Sequence, residues 1–198
     1  NPSGKSFREY ERYYVPHRII TYKKHLPTLL KYRKTNKLLD LGCGYGHFLS
    51  LAKTEGWQVE GVESSDYDSQ IAKRQNNVVI HRDLNNTKLT RESFDVVTLW
   101  DTIEHILDIN TVIKKIRGLL RPGGAILIKT PDARIFNYKK KLFPEIFIHF
   151  YRSYIYPSNP RQHIYHFNPE YLIDLLKNYG FDNFRVEEDE LFSERIIS

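Results

Sequence analysis

Between residues 37 and 131 the chain alternates short apolar runs with longer stretches in which apolar residues recur at helical spacing. Runs at 37–41, 58–62, 77–80, 94–99 and 125–130 predict strands. The stretches 47–55, 66–74 and 109–120 predict helices between them, the last stopped by Arg121-Pro122-Gly123-Gly124. Strands separated by single helices imply βαβ units, and right-handed crossovers then place helices on both faces of a mainly parallel sheet. The expected class is therefore α/β and doubly wound.

The flanks read differently. Residues 8–34 suggest one or two helices interrupted at Pro16 and Pro27, with Tyr13, Tyr14, Ile19, Ile20, Leu26, Leu29 and Leu30 as buried candidates. Residues 132–167 hold ten Phe or Tyr in a Lys- and Pro-rich stretch, far longer than an ordinary loop of about 4–6 residues. Asn168 then offers an N-cap and Pro169 a first helical position for a helix to 178, with Gly180 as its C-terminal glycine. A strand over 181–187 and an antiparallel partner over 193–197 close the chain.

Composition narrows the setting. A length of 198 residues suits one domain, and 14% aromatic content argues against disorder. Cys43 stands alone, which rules out an internal disulfide framework and an all-cysteine metal site. No apolar run reaches the roughly 18 residues that span a bilayer, and no secretory leader opens the sequence. A reducing, cytoplasmic compartment is expected. The chain begins at Asn1 and contains no Met, which reads as a trimmed or processed product or as a sequence from which modified residues are missing.

The net charge of +6 is uneven. Residues 1–37 carry ten Lys or Arg against two Glu, and residues 133–167 carry six against one. Residues 168–198, in contrast, carry three against eight Asp or Glu. Basic flanks around a near-neutral middle suit a phosphate-bearing or membrane-surface partner, or simply a solvated surface.

The sharpest chemical signal is Asp40-Leu41-Gly42-Cys43-Gly44-Tyr45-Gly46, a strand running through three close glycines into a helix. Such a loop brings bare backbone to a ligand at a helix N-terminus. A dinucleotide fingerprint would need glycine where His47 stands, and the Gly-Lys-Ser/Thr of a phosphate loop is absent. The acid Asp40 would repel a pyrophosphate but suits a ligand with an ammonium group. Glu63, at the tip of the second strand and 19 residues past Gly44, can accept ribose hydroxyls. Ser64 adjoins it. Asp83 can accept an adenine amine, with Leu84 beside the ring.

These residues resemble the class I S-adenosylmethionine-dependent methyltransferases, especially the small-molecule branch with the quinone-pathway O-methyltransferases. The likeness continues through Phe94-Asp95-Val96-Val97, Asp101-Thr102-Ile103-Glu104-His105 and Leu119-Leu120-Arg121-Pro122-Gly123-Gly124. It implies a Rossmann-like sheet of about seven strands with the last antiparallel, and one methyltransferase domain over 1–198. Within that domain 1–36 is a helical arm, 37–131 the cofactor-binding core, 132–167 an aromatic lid insert and 168–198 a C-terminal helix and strands. It implies S-adenosyl-L-methionine as cofactor and S-adenosyl-L-homocysteine as product. Asp40 to Gly46, Glu63, Ser64, Asp83, Leu84, Trp100 and Asp101 are the cofactor residues. Cys43 is read as a small buried residue of the turn, not a nucleophile.

Methyl transfer from a sulfonium needs alignment and exclusion of water, and a hydroxyl acceptor also benefits from a base. His105, His163 and His166 are the candidates, each competing with a structural role. Asp101 and His105 are four apart and would share a face of a helical turn. His163 and His166 lack spaced third and fourth ligands, so no metal site is expected. The insert at 136–152 reads as a lid over an apolar acceptor, or as a lysine-and-aromatic segment seated in lipid headgroups on the inner face of a membrane. The expected acceptor is small and apolar or lipid-linked, methylated at oxygen. Two other classes remain open, an RNA or protein methyltransferase using the basic arm and a non-catalytic cofactor-binding module. Nucleic acid is disfavoured because Trp100-Asp101-Thr102-Ile103 stands where amino-methylating DNA enzymes carry Asn-Pro-Pro-Tyr.

Overall fold

The computed structural model describes residues 12, 14–85, 88–134, 164–189 and 194–197. Helix α1 (Val15–His25) leads through a 3₁₀ turn (Leu26–Tyr32) into β1 (Lys37–Leu41). Then follow α2 (His47–Thr54), β2 (Gln58–Val62), α3 (Asp66–Asn76), β3 (Val79–His81) and β4 (Phe94–Trp100). A 3₁₀ turn (Ile103–His105), α4 (Ile109–Leu119) and β5 (Leu120–Pro131) complete the alternating part. Helix α5 (Pro169–Lys177), β6 (Val186–Asp189) and β7 (Glu194–Ile197) follow.

The strands lie in the order β3-β2-β1-β4-β5-β7-β6. The first five pair in parallel; β7 runs antiparallel to β5, and β6 antiparallel to β7. This is a mostly parallel, Rossmann-like sheet with helices around it, as the alternating pattern implies.

Two apolar clusters sandwich the sheet, because successive strand residues face opposite ways. Leu38, Val96 and Leu127 pack on one side against Tyr22 of α1, Phe48 and Leu49 of α2 and Ala72 of α3. Leu39, Val97 and Ile128 pack on the other against Ile113 and Ile116 of α4 and Leu172 and Leu176 of α5. All seven residues of β4 are buried, as expected of a central parallel strand covered on both faces. Ile20 and Leu30, read above as buried, are instead exposed at 53% and 43%, while Leu26 and Leu29 fill the core. Tyr13 lies outside the described residues.

Local signals decide the helix ends. Asn168 caps α5 by accepting from the Tyr171 amide at 2.7 Å, a contact worth about 1 kcal/mol. Ser65 and Asp108 do the same for α3 and α4. β5 begins earlier than its apolar run. Phe94 pairs with Leu120 and Val96 with Ala125, so residues 121–124 bulge out of the ladder. The bulge is held by Arg121, whose Nε donates to Asp95 and whose Nη2 donates to the Tyr32 carbonyl. Among the described residues no helix is long and apolar enough to cross a membrane.

Candidate active site

Parallel strands end together, so the loops after β1, β2, β4 and β5 meet at one edge, where open α/β sheets bind ligands. The loop after β1 is clamped to the end of β2: the amides of Gly42 and Cys43 both donate to the Val62 carbonyl, at 2.8 and 3.1 Å. Gly42, Gly44 and Gly46 all hold a left-handed φ, at +75°, +53° and +81°. At Gly42 the glycine is also demanded by space, since a Cβ there would run into the Thr102 side chain. Among the described residues, a Cβ at Gly44 would meet nothing within 4 Å. That position opens onto free space, as a backbone cradle for a ligand requires.

Glu63 follows β2 directly and turns back toward this cradle. Its Oε2 accepts from the Gly44 amide at 2.9 Å and its Oε1 from the Ser65 amide at 2.8 Å. Each oxygen keeps lone pairs for further donors, such as two vicinal hydroxyls. Two backbone donors thus fix the carboxylate before any ligand arrives.

Asp40 lies behind the cradle, 2% exposed, and accepts from the Thr98 hydroxyl at 2.7 Å. Burial and then the charge of Glu63 push its carboxyl up to about 8, against the hydrogen bond from Thr98 and the charge of Arg18. Burial first, then Asp40 and Glu63, also drive the Cys43 thiol far upward, so it stays protonated. Its sulfur packs where a Cβ on Gly61 would sit. Cys43 is therefore an inert space-filler.

Beyond β4 the chain bends sharply. Asp101 holds φ +50°, uncommon for a residue with a side chain, and its amide donates to the Lys129 carbonyl at 2.8 Å. Arg18 of α1 and Lys129 of β5 each sit 2.8 Å from one of its carboxylate oxygens. Burial would raise the carboxyl, but Lys129 and then Arg18 outweigh it and hold the group below its ordinary range. Because Asp101 precedes the 3₁₀ turn and lies in left-handed backbone, it and His105 do not share a helical turn as their spacing suggests.

Glu104 is 1% exposed. Its Oε2 accepts from the Thr130 hydroxyl at 2.9 Å, while Oε1 is buried without a partner among the described residues. Burial and then the charge of Asp101 lift this carboxyl to about 8. Its carbonyl accepts from the amides of Ile164 and Tyr165, at 2.9 and 3.2 Å. Asp132 bridges Phe167, and the Ala133 amide donates to the Phe167 carbonyl at 2.8 Å. Both ends of the inserted stretch are therefore tied next to the loop after β4.

The other sequence candidates are placed as follows. Leu84 is packed in the core on the α4 side. Asp83 accepts from the Asn85 amide at 2.8 Å, closing a turn after β3. Trp100 faces α1 and α2, where its ring lies 4.8 Å from Tyr22 and 5.0 Å from Phe48. Tyr45 is buried, with its ring edge-on to His47 and Tyr67, and Ser64 is exposed. His105 and His166 are exposed on the loop after β4 and beside the stem of the insert. His163 and most of the insert, including 136–152, lie outside the described residues.

Three site residues escaped the sequence reading. Thr98 shows only as the register partner of Asp40. Lys129 announces itself as a lysine inside the apolar run Ile126-Leu127-Ile128. Glu104 is not among them: the resemblance already places it, after the fourth strand, where the methionine end of the cofactor and the acceptor are touched. Arg18, one of ten basic residues in its segment, carries no local signal at all.

Comparison with known proteins agrees with this geometry. A family model described as methyltransferase domain matches residues 9–186. A protein of Haemophilus ducreyi named ubiquinone biosynthesis O-methyltransferase is 33% identical over 105 residues, 48% of this chain and 44% of that protein. One of the same name from Pseudomonas aeruginosa is 29% identical over 138 residues, 62% and 59% of the two. The chain thus spans about half the length of these relatives. Phosphoethanolamine N-methyltransferase 2 of Haemonchus contortus, solved with S-adenosylmethionine, superposes with a TM-score of 0.61 at 25% identity, covering 83% of this chain and 38% of that one. An S-adenosylmethionine-dependent methyltransferase of Thermotoga maritima gives 0.70 at 21% identity over 96% and 93%, a likeness of fold. With the family model covering nearly the whole sequence and the glycine loop and Glu63 in place, the chain belongs to the methyltransferase-domain family, among the class I S-adenosylmethionine-dependent methyltransferases.

Proposed function

We propose that the protein methylates a hydroxyl of a small apolar acceptor of the quinone-precursor kind, using S-adenosylmethionine held at the ends of β1, β2 and β4. The observation that carries the reading is the pre-fixed Glu63 carboxylate beside the open Gly44. It suits a ribose diol, and the lack of a dinucleotide fingerprint and of a phosphate-loop Gly-Lys-Ser/Thr in the sequence argues against dinucleotides and nucleoside triphosphates. A zwitterionic amino-acid end needs both signs of charge, which the Asp101 carboxylate with Arg18 and Lys129, and Asp40 when ionised, bring to this edge of the sheet.

When bound, S-adenosylmethionine supplies an activated methyl, transferred in line as the S–C bond breaks and an O–C bond forms. The chain's part is to align the partners, exclude water and take the hydroxyl proton. Glu104, His105, His163 and His166 are the groups proposed for that proton. Glu104 brings a buried oxygen with no hydrogen-bond partner among the described residues, and His105 is exposed next to it on the same loop.

An apolar or lipid-linked acceptor is favoured by the names of the quinone-pathway relatives. Exposed Leu107, Ile164 and Tyr171 near the ends of the insert favour it too. The insert itself is proposed as a lid, with contact to the inner face of a membrane through 136–152 as a second role. Incubation with methyl-labelled cofactor and a panel of catechols, alkyl phenols and primary amines tests the assignment. Label in solvent-extractable methyl ethers supports it. Label only in amines, or only in RNA or protein, overturns it.

A further inference from the structure

We propose that Thr98 is a positioning residue for the cofactor: its hydroxyl holds the Asp40 carboxyl so that it can face the ligand's cationic end as a carboxylate. This rests on the cofactor assignment above and goes beyond it by placing a residue buried in the middle of the sheet in control of affinity.

The geometry is direct. Thr98 lies opposite Asp40 in the β1–β4 register, wholly buried, with its hydroxyl 2.7 Å from Asp40 Oδ1. The backbone carbonyl of Leu39 is the alternative acceptor, at 3.5 Å. A hydroxyl has one proton to give, and the shorter contact to the carboxylate oxygen receives it. One oxygen of Asp40 is thereby tied to the sheet interior, and the rotation of the carboxyl is set.

The groups facing Asp40 come from several elements. Glu63 after β2 opposes its ionisation, Arg18 of α1 favours it, and Cys43 of the glycine loop is a neutral neighbour. A buried carboxyl so placed is readily neutral, and a neutral carboxyl offers a cation little. The Thr98 hydrogen bond is the largest influence favouring the ionised form. Valine would keep the shape and remove the donor.

Calorimetric titration with S-adenosylmethionine and S-adenosylhomocysteine, from pH 6 to 8.5, compares wild type with Thr98→Val, Thr98→Ser and Asp40→Asn. We expect wild-type affinity to tighten with rising pH. Thr98→Val should shift that profile upward by roughly one pH unit, weakening binding at pH 7 about tenfold. Thr98→Ser should restore it, and Asp40→Asn should flatten the dependence. Equal loss at every pH in Thr98→Val, an unchanged profile, or a pH dependence that survives Asp40→Asn would overturn the proposal. Wild type that binds neither compound would instead overturn the cofactor assignment.

Discussion

At the scale of single residues, the account turns on side chains that are oriented before any ligand is present. Replacing Glu63 by Gln keeps the size but removes the charge and turns one acceptor into a donor. The Gly44 and Ser65 amides and the two hydroxyls then compete for one oxygen. Charge-assisted hydrogen bonds of this kind are worth about 1.5–3 kcal/mol, so Glu63→Gln should weaken cofactor binding roughly ten- to hundredfold in calorimetry. Two glycines separate backbone strain from ligand contact. Gly42→Ala meets both a left-handed φ and the Thr102 side chain and should cost about 1–3 kcal/mol in urea unfolding. Gly44→Ala meets only the φ, so it should destabilise less but weaken the cofactor more, because its methyl enters the cradle. The reverse ranking would contradict the placement of the cleft. Glu63 and the glycines were legible because their spacing is itself the signal. Thr98 and Arg18 were not, because what matters about them is register across strands and the reach of a helix, neither of which is written locally.

Between elements, the chief joint is the buried Asp95. Its carboxylate accepts from the amides of Lys34, Thr35 and Asn36, at 2.7–3.1 Å, and from Arg121, binding the turn before β1 and the bulge of β5 to the start of β4. Burial opposes ionisation, yet Arg121 and the three amides prevail and hold the group down at about 2. Because the folded value lies below the unfolded one of about 3.9, its stabilisation is present above about pH 4 and disappears as pH falls toward 2. Asp95→Asn should cost about 3–5 kcal/mol at pH 7 and remove much of the acid sensitivity in this window. A wild-type-like melting point would show that the joint is ornamental. The sequence motif of Arg121 and two glycines read as structural, and it is, but through a bulge and a side-chain anchor that hydrophobic periodicity does not encode. In the alternating part strand and helix cores were placed within a few residues because their apolar faces repeat, whereas the strand expected over 181–187 begins only at Val186. The 3₁₀ turn after α1 and the left-handed bend at Asp101 were missed, since each is imposed by tertiary contacts.

For the whole molecule, Asp40 and Glu104 are both raised to about 8, well above their unfolded values. The folded state therefore holds protons that the unfolded chain releases, and the stability these groups contribute below about pH 4 is lost progressively as pH rises through 8. The ligand-free protein should melt lower at pH 9 than at pH 6, and this fall should shrink with a cationic ligand in place. A ligand at a hundredfold excess over its dissociation constant adds about 2.7 kcal/mol, which for this size is roughly a 5–10 °C rise in melting temperature. The alternating core announced its fold because one period, strand then helix, runs through it. The acceptor side was far less legible, as its groups come from the loop after β4, the end of β5 and the stem of the insert, brought together only by the sheet. The most direct measurement is calorimetric titration of the wild-type protein with S-adenosylhomocysteine at pH 8, repeated with NADH. The account predicts one site with micromolar affinity for the first compound and no heat from the second; heat from NADH alone would contradict it.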